Sequence, residues 1–470
     1  MFMILRSGWR ILTLFMLILS LLTALVLSSV RHTLAAPGLV QLSSDPYTNS
    51  RNEHQTEVSP ASSSHGSTIV SAFQVGHGSK NGGSSNIGWA HSSDSGITWI
   101  HGFLPHTTKL VKGIYDRVEN PSVAYDVKHN TWMITNSAFI SNNSIAILVS
   151  LSTNGGTAWS DPLTIYTNSA EDLDKAWAIC DNTATSLYYG HCYVEWHDER
   201  LANQVQMSTS TNGGVTWGPP LSTADNYAGF NGHPLVQPNG TVIVPINKPI
   251  PSPKQSTTIM AFISTDGGNS WSSTVTVASV HAHILNGNLR SLHIFSAGID
   301  RSGKVYLVWE DCRFETGCTT NDLVMTTSSD GVTWSAPTRI PIDPVGSGVD
   351  HFMPGFAVDR SISGGPDHLA LVYYYLPVAN CEITTCQLDV GYVSSLDGGT
   401  TWTTSTKLAG PMTVTWLCST SWGYMVGDYI SASFSGGKAF PFFPVATAPT
   451  TDSYGNTTLH EAINTVSGGL

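Results

Sequence analysis

Only 11% of the 470 residues are charged, so the places where acids and bases gather are informative. They gather as Asp116-Arg117-Val-Glu119, Asp172-Leu-Asp174-Lys175, Glu195-Trp196-His197-Asp198-Glu199-Arg200 and Glu310-Asp311-Cys312-Arg313. Arg290 stands near His293, and the pairs Asp350-His351 and Asp428-Tyr429 complete the set. The candidate catalytic residues drawn from it are Arg117, Glu119, Asp174, Arg290, Glu310, Asp311, Arg313, Asp350 and Tyr429. Several carboxyl groups meeting arginines and aromatic rings could run acid–base chemistry on a sugar. Arginines could also hold a ligand carboxylate through paired hydrogen bonds. Any one of these charges could equally be an ion pair tying neighbouring elements together, because structural networks also gather acids and bases.

The elements that would bring these residues together are announced by a short motif. It runs Ser92-Ser-Asp94-Ser-Gly96-Ile-Thr98-Trp99 and returns with tryptophan at 159, 217, 271, 334 and 402. The copy ending at Trp334 is one residue short, and successive tryptophans are 60, 58, 54, 63 and 68 residues apart. Such a period means a repeat architecture. Asp or Asn followed by Gly is turn chemistry, and the Thr-Trp that follows starts a strand with a large apolar plate. Each copy therefore reads as a hairpin turn whose tryptophan packs between sheets, a staple that touches no substrate.

Between the turns run strand units with openings such as Asn120-Pro121, Lys175-Ala-Trp177, His233-Pro234, Leu292-His293, Met353-Pro354 and Asp428-Tyr429. Their second strands are rich in β-branched and aromatic residues, as in Thr68-Ile-Val-Ser-Ala-Phe73 and Leu369-Ala-Leu-Val-Tyr-Tyr-Tyr375, a strand signature. The count reaches seven units, the seventh without a turn motif. Radially repeated four-stranded sheets make an all-β propeller, in which no sheet edge stays exposed for long. The last unit shows three strands, and Gly38-Leu-Val-Gln-Leu42 is expected to close it. First-strand openings and second-strand exits then share one face, around the channel mouth where ligands bind. The turn motifs lie on the opposite rim.

The six motifs resemble the Asp box of the sialidase and BNR-repeat superfamily, and the resemblance covers most of residues 54–466. It implies a propeller and a carbohydrate-active protein. Sialidases are six-bladed, whereas the unit count here favours seven. The resemblance further implies an arginine triad, a Tyr–Glu nucleophile pair and an Asp acid/base. The first arginine belongs to a Tyr/Phe-Arg-Ile-Pro opening in the first blade, where this chain has Thr56-Glu57-Val58-Ser59-Pro60. An acid there has the wrong sign for a sialic acid carboxylate. Arg117, Arg290 or Arg313 could supply the other arginines, and Tyr429 occupies a plausible nucleophile position.

A net charge of −12 argues against nucleic-acid binding, which needs a basic footprint. Arg6 and Arg10, an apolar run over 11–30 and Thr33-Leu-Ala35-Ala36 read as a secretory signal. The long apolar run could instead remain as a membrane anchor, with the propeller outside in either case. The expected organisation is thus a leader over 1–36 and one propeller domain over 37–470. Three functions fit: a secreted glycoside hydrolase, a non-catalytic glycan-binding propeller with Trp196, Trp416, Trp422 and Tyr424 as stacking platforms, or an extracellular scaffold docking another protein. The expected partner is a glycan or glycoconjugate. No cofactor is implied, although an acidic cluster such as Asp172 and Asp174 could take calcium. Seven cysteines agree with an oxidising compartment, and bridges 180–192, 312–318 and 381–386 are expected with Cys418 free. Peptide mapping without reduction should recover these three pairs; free thiols at Cys312 and Cys318 would contradict the second.

Overall fold

The computed structural model describes residues 38–50, 52–78, 82–249, 256–361 and 366–470. The expected leader over 1–36 lies outside the described residues. Seven inner strands follow one another round a central channel: Glu57–His65, Arg117–Asp126, Leu173–Cys180, Leu235–Val236, Ser296–Ile299, Asp350–Val358 and Ser431–Ser435. Each is followed, in chain order, by antiparallel neighbours that build a blade outward. The seventh inner strand lies against the first, so the ring closes as a β-propeller. In the third blade the outer position is an irregular segment held by bridges of Met207 to Leu221 and Gln204 to Ala228.

Closure uses the strand expected from the sequence. Leu39–Gln41 pairs antiparallel with Thr457–Val466, Leu39 opposite Val466, and supplies the seventh blade with its fourth strand. All three expected disulfides are present, and Cys418 is free and buried. Among the described residues no helix is long and apolar enough to cross a membrane.

The Asp boxes explain why the blades stay together. In the first, Ser92 Oγ donates to Asp94 Oδ1 at 2.8 Å and accepts from the Gly96 amide at 2.8 Å. Asp94 in turn accepts from the Thr98 amide at 2.9 Å and hydroxyl at 2.6 Å, and the Trp99 indole donates to the Gly96 carbonyl at 3.2 Å. The same pattern recurs at residues 210–217, 328–334 and 395–402. The turn glycine adopts positive φ and presses on the preceding blade. A Cβ on Gly96 would sit 2.1 Å from Phe440 of the seventh blade, and one on Gly214 2.9 Å from Met133 of the second. The tryptophans join the apolar clusters between blades, Trp217 with Met133, Val149, Val194 and Trp196 for example. No box side chain lines the channel mouth, as the staple reading expects.

At the mouth the inner strands share one irregularity. Ser59, Asn120, Lys175, Asn231, His293 and Met353 all adopt left-handed φ, between 49° and 58°. In the first, second, third and sixth blades the pairing register shifts at this point. Such bulges re-aim side chains, and here they turn the strand openings inward.

Two outcomes check this account. Gly155 has φ +80° with open space around its Cβ position, whereas Gly96 has φ +76° with Phe440 in the way. Gly155→Ala should cost about 1–2 kcal/mol of backbone strain, and Gly96→Ala roughly 1–3 kcal/mol more from overpacking; equal losses in denaturant midpoint would deny the inter-blade role. At the closure, Glu57 and Glu461 are almost fully buried, and burial pushes each carboxyl up to about 8. A raised folded-state value stabilises fully below the ordinary carboxylate range and is lost as pH rises through about 8. Stability should therefore decline from pH 5 to pH 8, and Glu57→Gln with Glu461→Gln should flatten the decline.

Candidate active site

One cavity of about 560 Å³ opens at the mouth on the face opposite the Asp boxes. Its polar wall comes from the third blade and from the approach to the fifth: Asp174, Lys175, His197, Glu199, Arg290 and His293. Its apolar wall includes Phe230, Ile284, Leu289 and Trp422.

The third blade positions its acids by strand pairing. Asp174 opens the inner strand opposite His197, which lies near the end of the strand Cys192–Asp198. Asp198 then caps a short turn by accepting from the Arg200 amide at 3.0 Å, which sets Glu199 at the rim. Asp174 Oδ1 accepts from the amide of Lys175 at 2.7 Å and from the side-chain amide of Asn120. Asp174, His197 and Glu199 each bring one oxygen or nitrogen within 4.8 Å of the others. Glu199 is exposed at the rim, yet the surrounding protein displaces enough water there, with Asp174 and Asp172 adding like charge, to hold its carboxyl up at about 7. Burial keeps the His197 ring neutral, down at about 4. These three side chains are also the set that could ligate a divalent cation.

The remainder of the wall, with Arg290 and His293, is made by two insertions that clasp one another. The segment 282–295 precedes the fifth inner strand, and the hairpin of Cys418–Thr420 and Gly423–Met425 precedes the seventh. The Tyr424 amide donates to the Asn288 carbonyl at 2.9 Å and the Arg290 amide to the Tyr424 carbonyl at 2.8 Å. Leu285 and Leu289 anchor the segment in the core with Val414, Leu417 and Val426. The hairpin tip carries Trp422, 69% exposed. Beneath the cavity Asp428 takes two ion pairs, from Lys175 Nζ at 2.6 Å and from Arg290 at 2.7 Å.

Of the nine residues singled out from the sequence, two line this cavity, Asp174 and Arg290. Glu310 sits behind the wall: its carboxylate holds His293 Nδ1 at 2.5 Å and accepts from the Met353 amide at 3.1 Å. Its neighbour Asp311 points the other way, to Trp309 Nε1 at 3.0 Å and Arg313 at 2.7 Å, because successive strand residues face opposite sides. Asp350 pairs with His283 at 2.8 Å and accepts from the Asn321 amide at 2.7 Å, a tie between segments. Glu119 is half-buried, accepting from the Gly83 amide at 2.7 Å; loss of solvent and then Asp174 push its carboxyl far up. The Arg117 guanidinium donates to the Ser141 carbonyl and lies 4.9 Å from the Phe139 ring centre.

Tyr429 is 6% exposed, and its hydroxyl donates to the Pro121 carbonyl at 2.7 Å. Burial and then Asp428 raise that hydroxyl well above the ordinary phenol value. It is a packing residue against Trp177, and a nucleophilic role has no support in this geometry. Arg117, Arg290 and Arg313 do not converge, so among the described residues the cavity wall holds one arginine. Glu57, at the site of the expected first-blade arginine, is buried and accepts from Ser43 Oγ at 2.6 Å. Among the aromatic platforms expected, Trp196 is fully buried against Tyr166, while Trp422 is on the cavity wall. Glu199 stands inside the acidic cluster 195–200 and is not among those nine; its signal is its place immediately after a second-strand exit.

By sequence, the chain matches no protein-family model and no curated relative. By structure it is similar to a Hadza microbial sialidase, at 14% identity and TM-score 0.44 over 88% of this chain and 66% of that one. It is similar to the NanB sialidase of Streptococcus pneumoniae, at 15% identity and TM-score 0.44 over 92% of this chain and 70% of that one. The intramolecular trans-sialidase of Ruminococcus gnavus compares at 12% identity and TM-score 0.40, over 91% and 98%. The chain thus spans about two thirds of the length of the first two sialidases. On its own six Asp-box turns and its own closed ring of blades, the chain is an all-β propeller closed by its N-terminal strand.

Proposed function

We propose that the chain is a glycoside hydrolase whose catalytic pair is Glu199 and Asp174. The observation that carries this reading is their spacing: an oxygen of each lies within 4.8 Å of the other on the wall of the cavity. A pair held inside that limit leaves no room for the water that inverting enzymes seat between carboxyl groups about 6.5–9.5 Å apart, and so fits the closer pair of retaining hydrolysis. Their environments suit different roles. Glu199, held at about 7, keeps a proton to give at neutral pH. Asp174 is fixed by the Lys175 amide and the Asn120 side chain, as a nucleophile must be.

In the first step Glu199 gives its proton to the glycosidic oxygen as the bond to the anomeric carbon breaks. An Asp174 oxygen bonds to that carbon, and the aglycone leaves as an alcohol. In the second step Glu199 takes a proton from water, the water oxygen bonds to the anomeric carbon, and the Asp174 ester breaks. Trp422 supplies a flat apolar face for the ring CH groups. The three disulfides support an extracytoplasmic setting for this activity.

A second reading, glycan binding without hydrolysis, is favoured by one observation. Asp174, His197 and Glu199 could serve as cation ligands and leave no acid free. A panel of aryl glycosides of neutral hexoses separates the two. Glu199→Gln should lose about 10²–10⁴-fold in rate on glycosides with poor leaving groups and much less on dinitrophenyl glycosides, which depart without a proton. Asp174→Asn should fail on both. Activity should fall as pH rises through about 7, where Glu199 loses its proton, and it should persist in EDTA. Loss on chelation with recovery on adding a divalent cation would reassign the three side chains as metal ligands.

A further inference from the structure

We propose that Asp428 is a built-in counter-anion that fits the cavity to uncharged sugars and bars carboxylated ones. The inference rests on the reading of the cavity as a glycan site, and it names the class of glycan. Among the described residues, the lysine and the arginine of the cavity wall, Lys175 and Arg290, are the groups that could receive a ligand carboxylate. Both are already committed to one residue. Lys175 Nζ lies 2.6 Å from Asp428 Oδ2 and Arg290 lies 2.7 Å from Oδ1.

The commitment is built into three blades. Lys175 reaches inward from a left-handed backbone position at φ 55°. Arg290 is held by the clasp of its segment to the Tyr424 strand. Asp428 is oriented by its own amide, which donates to Ser59 Oγ at 3.0 Å. Asp428 is 8% exposed and Lys175 6%, so the pair is shielded from screening by salt. Burial works against the charge on Asp428, but Arg290 and Lys175 overcome it and hold the carboxyl down at about 2. A carboxylate brought by a ligand would compete with one already in place at a high effective concentration. It would also meet the charge of Asp428 and the carboxylate of Asp174 across the same small space.

What remains for a ligand is uncharged. Trp422, Phe230, Ile284 and Leu289 offer apolar surface, and Asn203, Asn288 and Ser291 offer polar groups for hydroxyls. That combination suits a neutral pyranoside, with its CH face on the indole and its hydroxyls on the amides.

Calorimetric titration of the intact protein with lactose and 3′-sialyllactose, and with glucosides and glucuronides, tests this. Binding is the readout, so the hydrolase assignment can fail separately: a protein that binds neutral sugars without cleaving them sinks the catalytic pair and leaves the counter-anion standing. The wild type should bind each neutral sugar at least 10-fold more tightly than its carboxylated partner. Asp428→Asn should raise affinity for the carboxylated member at least 10-fold, and millimolar glucuronate should raise the melting temperature of that variant but not of the wild type. Should Asp428→Asn not fold, Lys175→Met with Asp428→Asn leaves Arg290 as one free cation and should show the same gain. Equal binding of neutral and carboxylated sugars by the wild type would overturn the inference. So would the absence of any gain in a folded variant.

Discussion

A buried carboxylate must be paired where it lies, and Asp428 is the buried charge around which the channel mouth is arranged. Removing ions from water costs several kcal/mol each, recovered only with good geometry and further hydrogen bonds. Asp428 comes from the seventh blade, Lys175 from the third and Arg290 from the approach to the fifth. Their ion pairs at 2.6 and 2.7 Å therefore connect blades that are not neighbours in sequence or around the ring. The inward bulge at Lys175 and the clasp that holds Arg290 both make sense as ways of meeting this demand. Elsewhere in the mouth the same demand is met by neutralisation: burial pushes Glu119 and Glu195 far above the ordinary carboxylate range.

The outer parts of the molecule answer a different need. Blades have apolar faces that must be covered, and the Asp boxes cover them by inserting a glycine corner and a tryptophan plate against the preceding blade. The seventh blade has no box, and its interface with the sixth is filled instead by a large apolar cluster that includes Phe352, Tyr374, Met412 and Phe443. The rim with boxes is thus structural, and the opposite face is free to carry insertions. The segment 282–295 and the hairpin bearing Trp422 are such insertions, and together they turn a shallow mouth into a cavity.

The repeat was legible because its signal is local: Ser, Asp, Gly, Thr and Trp at fixed offsets specify a turn whatever surrounds it. The same holds for Leu39–Gln41, which was needed to complete a count of strands. The site was only partly legible. Sequence placed Glu310 and Asp311 together as neighbours, but strand alternation sends one to His293 and the other to Arg313. Tyr429 followed Asp428 at a strand opening, yet it is packed away on Trp177. The left-handed positions at Lys175, His293 and Met353 carry no glycine to announce them. They decide which side chains face the cavity, and they arise from packing across blades that no local pattern encodes. The same is true of the closeness of Asp174, on the inner strand of the third blade, to Glu199, in the turn that follows the next strand.

If Asp174 is the nucleophile, a carboxylate of the third blade forms a bond to sugar. Incubation with activated 2-deoxy-2-fluoro glycosides of neutral hexoses, which slow the breakdown of a glycosyl-enzyme, followed by mass spectrometry of the digested protein, tests it directly. One added fluorosugar per chain is expected, on the peptide that contains Asp174. A label on Tyr429, or turnover of true substrate with no label on Asp174, would contradict it.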